Sequence, residues 1–158
     1  MRLPILAAAA ATFAIAAPGA LAAPPSHADG QALRRLAAEN DAAWTARDAL
    51  TIAGQYVADG SVRVGHDANP VTGRASLRAF FEANFSQRQP GFRHVTEVDH
   101  IDMVAADTAL ADARVRVERA NAAGGWDLVR EFRTNSLLVR DGGVWRMRAV
   151  RAHPQASR

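Results

Sequence analysis

The chain contains no cysteine and no lysine. The first absence excludes disulfides, thiolate nucleophiles and thiolate metal sites, so stability must come from packing. The second excludes Schiff-base chemistry, which needs a lysine amine. No glycine-rich phosphate loop, nucleophile elbow or HExxH zinc motif occurs either. Tyrosine is present once, at Tyr56. All nineteen basic side chains are arginines, scattered among sixteen carboxylates for a formal net charge of +3. A nucleic-acid surface needs clustered positive charge, and this spacing supplies none.

The first thirty residues have a different character from the rest. Arg2 precedes an apolar run over residues 5–17, Pro18 and Gly19 break any helix, and Ala20-Leu21-Ala22 has the small-x-small pattern of a cleavage site. The pattern predicts a signal peptide over residues 1–22, with cleavage after Ala28 as the second choice, and a periplasmic or secreted product. The alternative is an uncleaved anchor, since residues 3–23 are nearly long enough to span a bilayer. The alanine-rich core and the helix breakers favour cleavage, and the lack of cysteine excludes a lipid anchor. Removing residues 1–22 leaves 136 of the 158 residues, enough for one hydrophobic core, with no stable membrane insertion expected of it.

Residues 23–30 read as a Pro/Ala/Ser tether. Leu33, Leu36, Ala37, Asn40 and Trp44 then recur at threes and fours, predicting a helix from about Gln31 to Ala53. Residues 55–60 read as turn-like and residues 61–64 as a brief strand. A second helix opens at Gly73-Arg74, carries Leu77, Phe81 and Phe85 as an apolar stripe, and ends before Pro90. The remainder reads as strands over residues 92–104, 108–119, 126–139 and 144–153. The second alternates cleanly, with Ala109, Ala111, Ala113, Val115 and Val117 on one side. Residues 121–125 are a turn, and Asp141-Gly142-Gly143 is the clearest hairpin signal. On the last strand, Trp145, Met147 and Ala149 are expected on one face. Helices followed by a meander of long strands predict an α+β domain over residues 31–154, with a strongly curved antiparallel sheet wrapped around N-terminal helices and a cavity at its open end.

Several local features resemble the nuclear transport factor two-like superfamily, in particular its small exported SnoaL-like members. They are Glu39-Asn40-Asp41-Ala42-Ala43-Trp44 continuing to Asp48, the segment from Tyr56 to Gly60, and Gly73-Arg74 continuing through Leu77 and Phe81. The closing hairpin from Asp141 through Trp145 to Met147 belongs with them. The resemblance implies a cone-like, ketosteroid isomerase-like fold over the whole mature chain and a homodimer packed through the outer face of the sheet. It leaves function open, since the superfamily holds isomerases, cyclases, dehydratases and non-catalytic association domains. Related proteins often carry two histidines in the last strand. Here Ala149 and Arg151 occupy those places and His153 is that strand's only histidine.

Three residues are candidates for acid–base work. His153 is a histidine with the right intrinsic range, Asp41 stands three residues from Trp44 on the first helix, and Tyr56 matches a tyrosine that stabilises enolate charge in similar isomerases. Trp44, Phe81, Phe85 and Trp145 are candidates for a pocket wall. Glu118, Arg130 and Arg133 fit cross-strand ion pairs, whereas an inward Arg133 or Arg130 would suit a carboxylate ligand, and strand parity does not choose between the two. His94 and His100 share strand parity without metal-ligand spacing, and solvent exposure is the expected state of both. No metal or cofactor is implied. The function expected is a small-molecule-binding domain that isomerises, cyclises or dehydrates an apolar substrate. The alternative is a non-catalytic homodimeric interaction domain whose cavity is filled by its own aromatic residues.

Overall fold

The computed structural model describes residues 23–155; the expected leader over residues 1–22 lies outside them. The elements in order are α1 (His27–Ala46), α2 (Ala49–Gly54), β1 (Tyr56–Val64), β2 (Val71–Thr72), α3 (Arg74–Ser86), β3 (Phe92–Ala105), β4 (Thr108–Ala120), β5 (Trp126–Asp141) and β6 (Val144–Pro154). The six strands form one curved, unclosed sheet in the order β2-β1-β6-β5-β4-β3. β3 to β6 are an antiparallel meander, whereas β1 runs parallel to β6. Among the described residues no helix is long and apolar enough to cross a membrane.

The first helix begins sooner than its periodicity predicts. Ser26 accepts a hydrogen bond from the Asp29 amide at 3.1 Å, a side-chain cap that starts the helix at His27. Part of the expected tether is therefore helical, and Ala23 pairs with Met103 on β3. The helix also breaks once where a single helix was expected. Arg47 adopts a left-handed conformation at φ 60°, its amide and that of Asp48 close onto the carbonyls of Trp44 and Ala43, and Asp48 caps α2 through the Thr51 amide. The Arg47 guanidinium donates to the Phe85 carbonyl, tying this corner to the end of α3.

Of the expected turn over residues 55–60 only Gln55 is a turn residue; Tyr56 to Gly60 belong to β1, whose register against β6 slips between Tyr56 and Ser61. Gly60 permits this irregularity. A Cβ there would lie 2.9 Å from the Tyr56 Cβ and 3.0 Å from the Met147 carbonyl oxygen. At the closing hairpin Gly142 and Gly143 both have positive φ, 59° and 82°, as a tight primed turn requires.

Two bulges decide which side chains face inward, because one extra residue reverses strand parity. In β6 the register shifts opposite Leu137 and Leu138, so Trp145 and Met147 are buried but Val150 and Ala152, not Ala149, continue the inner face. In β3 the shift lies between Val98 and His100. His94, Thr96, Val98 and Ile101 therefore face in, and His100 faces out. α1 packs across the concave face, and Leu33, Leu36, Ile52, Leu77, Phe81 and Ile101 belong to the core between the helices and the sheet.

Candidate functional site

At the wide end the concave face stays open, leaving a cavity of about 370 Å³, within the range of small-molecule sites. The alternating inner face of β4 forms its floor through Ala111, Ala113, Val115 and Val117, and the small alanines account for much of the room. Leu36, Trp44 and Phe81 form the helical wall. The space is not filled by the protein's own aromatic residues, as the interaction-domain alternative requires.

The chemistry of the wall centres on one contact between α1 and β3. Asp41 Oδ1 lies 2.6 Å from His94 Nδ1. The same carboxylate accepts the Thr96 hydroxyl at 2.6 Å and the Thr96 amide at 2.7 Å. Asp41, Trp44 and Thr45 share one helix face at spacings of three and four residues, and all three engage His94. The Trp44 ring stacks on the imidazole at 4.8 Å and 17°, and Thr45 Oγ1 accepts the His94 amide at 3.3 Å.

Burial alone would raise the Asp41 carboxyl, but the hydrogen bonds from His94 and Thr96 outweigh it and hold the group below its usual value of 3.8. Asp41 is therefore an ionised, acceptor-only carboxylate at neutral pH, and His94 Nδ1 must carry the hydrogen. In the neutral tautomer with its hydrogen on Nδ1 the imidazole lone pair is on Nε2, and His94 lines the cavity. A lowered folded value means that Asp41 adds stability above about pH 4 and loses it as pH falls through that value. The stability difference between wild type and Asp41→Asn, measured by urea unfolding, is accordingly expected to shrink as pH falls from 5 toward 2. A difference that stays constant with pH would contradict this coupling.

The other residues singled out in the sequence are dispersed. Tyr56 is buried and lines the cavity; burial pushes its phenol well above the usual value of 10.0 despite the opposing charge of Arg151, so it stays protonated. Trp44 and Phe81 are wall residues. Phe85 is buried edge-on to Trp44 at 4.9 Å and lines a smaller adjacent depression instead. Trp145 lies away from the cavity, donating its indole hydrogen to Asp29 at 3.2 Å. His153 and Arg133 are strand partners and belong to the outer face, because their neighbours Ala152, Phe132 and Thr134 take the inner positions. Arg133 pairs there with Asp99 at 2.7 Å, and His153 stacks on His66 at 4.6 Å. An acid–base set drawn from Asp41, Tyr56 and His153 is thus not assembled: Tyr56 lines the cavity, Asp41 touches it only through His94 and Thr96, and His153 lies on the outer face.

The residue that sequence reasoning missed is His94, expected in solvent but only 11% exposed at its side chain. Its partner is 53 positions away, so no local spacing reveals the pair. The one available signal is the strand parity shared by His94, Thr96 and Val98. Among the described residues no cluster of three or more metal-ligating side chains occurs.

A family model described as a SnoaL-like domain matches residues 26–151. No curated protein matches the chain. Solved structures similar to it include a function-unknown protein from Mycobacterium tuberculosis, at 22% identity and a TM-score of 0.72, covering 84% of this chain and 79% of that one. A nuclear transport factor two-like protein with a cystatin-like fold from Novosphingobium aromaticivorans is 20% identical with a TM-score of 0.71, covering 83% and 84%. A ketosteroid isomerase-like protein from Erwinia carotovora atroseptica is 15% identical with a TM-score of 0.66, covering 84% and 100%. At such identities the likeness concerns the fold.

Proposed function

The chain belongs to the SnoaL-like domain family, and on that premise we propose that it binds a small, largely apolar molecule and moves a proton on it through the Asp41–His94 pair. The observation that carries this reading is the 2.6 Å contact between Asp41 Oδ1 and Nδ1 of His94, which lines an apolar cavity. Asp41 fixes the tautomer and stabilises the imidazolium that forms when Nε2 takes a proton, and the Trp44 stack and Thr96 hold the geometry. A proton removed next to a carbonyl can return at another carbon or leave a β-hydroxyl free to depart, so isomerisation and dehydration share this first step. Tyr56, kept protonated by burial, is the hydrogen-bond donor suited to the developing oxyanion.

The reading includes an exported protein, periplasmic or secreted, supported by the leader-like start, and a homodimer through the outer sheet face, supported by the family. The test of the chemistry is deuterium wash-in from D2O into 2-tetralone, a bicyclic ketone with acidic α-protons, followed by proton NMR. Exchange above the buffer rate that saturates with ketone is expected. Exchange equal to buffer at millimolar ketone would count against proton transfer at this site.

A further inference from the structure

Two arginines line the cavity, Arg88 just beyond α3, half-buried, and Arg130 on β5, exposed. Arg130 is one of the two β5 arginines whose facing the sequence leaves open, and the register puts it opposite cavity-lining Val117. Most of the sheet's arginines have carboxylate partners. Arg93 and Arg116 hold Glu118, Arg114 and Arg116 hold Glu97, and Arg133 holds Asp99. Arg88 and Arg130 have no ion pair and no side-chain hydrogen bond among the described residues. Each rests on an aromatic ring instead, Arg88 over Trp44 at 4.7 Å and Arg130 over Phe132 at 6.0 Å.

Burial and then the neighbouring Arg130 cation hold the Arg88 guanidinium below its usual value. Both cations line the same cavity, and among the described residues no carboxylate pairs with either. Trp44 connects this pair to the proposed chemistry, since it touches both Arg88 and the imidazole of His94. An apolar chamber with one acid–base group and two arginines without a carboxylate partner among the described residues fits a ligand with an apolar body and an anionic end. A carboxylate accepts both forks in planar, charge-assisted hydrogen bonds.

We propose that the ligand of this cavity is an apolar carboxylic acid in its ionised form, with its carboxylate between Arg88 and Arg130 and its apolar body over the alanine and valine floor of β4, beside His94. This rests on the cavity being the binding site and specifies the substrate class for it. Because it binds the folded state, the acid also stabilises the folded protein, by an amount that rises with the logarithm of its concentration once the site is filled.

The test uses two nearly isosteric fluorescent probes, 2-naphthylacetate and its neutral amide, titrated into the purified protein at pH 7. The carboxylate is expected to bind about tenfold or more tightly than the amide, as two charge-assisted contacts against neutral ones imply. Arg88→Gln and Arg130→Gln are each expected to remove most of that preference while leaving amide affinity within about twofold. Because Arg88 also packs on Trp44, Arg130→Gln is the cleaner variant, and thermal melting of both shows whether the fold is kept. Equal affinity for the two probes, or a preference that survives both substitutions, would overturn the proposal. If in that case the amide still binds and Ala113→Phe, which fills the floor, abolishes its binding, the cavity reading stands and only the anion assignment is lost. Binding of neither probe overturns both.

Discussion

Replacing His94 with glutamine is expected to slow deuterium wash-in into 2-tetralone by about 10²–10⁴-fold, the usual contribution of a positioned general base. Glutamine is close to histidine in size and its amide can still donate to Asp41, so the wall keeps its shape while the titratable lone pair is lost. Asp41→Asn is expected to act in the same direction by a different route. Thr96 donates its amide hydrogen to Oδ2, so the asparagine oxygen takes that place and its NH2 group meets His94 Nδ1. The ring must then carry its hydrogen on Nε2, where it cannot act as a base. Binding of 2-naphthylacetamide by both variants is expected to stay within about threefold of wild type. A His94→Gln variant with unchanged exchange, in a protein that still binds the probe, would show that the imidazole does not move the proton.

The second large effect is on stability. Leu77 is fully buried on α3, among the core residues that join α2, α3 and β1. Leu77→Ala removes the apolar contacts of the whole side chain and leaves a cavity that packed neighbours cannot wholly close. It is expected to cost about 2–5 kcal/mol in urea unfolding, and without disulfides no covalent link limits the loss. Leu50, 63% exposed on α2, is the internal comparison, where alanine is expected to cost about 0.5 kcal/mol or less. Similar losses at both positions would mean that α3 is not the keystone between helices and sheet.

The architecture was legible where the pattern is local. The alternation Ala109, Ala111, Ala113, Val115, Val117 identifies β4 and its inward face, and Asp141-Gly142-Gly143 identifies the hairpin because two successive positive φ angles favour glycine. The helix break at Arg47 was not legible, since a non-glycine residue took the left-handed position and Leu50 continues the apolar spacing of Leu36 and Ala43, although the break leaves it exposed. Ala149 was assigned to the wrong face for a different reason: the β6 bulge depends on the partner strand, and one slipped residue reverses every later side chain.

The site was legible only in halves. Asp41, Trp44 and Tyr56 stand out by residue type and position; Trp44 and Tyr56 line the cavity, and Asp41 touches it through His94 and Thr96. His153 and Arg133 stand out equally, yet strand parity sends them to the outer face. His94 looked like one of several polar residues near a strand start, and its importance comes from a tertiary contact with α1 that no spacing encodes. Arg88 and Arg130 are legible only once the structure shows which arginines line the cavity and which are held by carboxylates.

The most direct test of the central claim is an NMR measurement of intermolecular NOEs from 2-naphthylacetamide to the protein, with the histidine ring nitrogens observed in the same sample. The account predicts NOEs to Ala113, Val115 and Trp44, a His94 ring protonated on Nδ1, and a shift of its Nε2 resonance when the probe binds. NOEs confined to the outer face of the sheet, or a His94 ring carrying its hydrogen on Nε2, would contradict it.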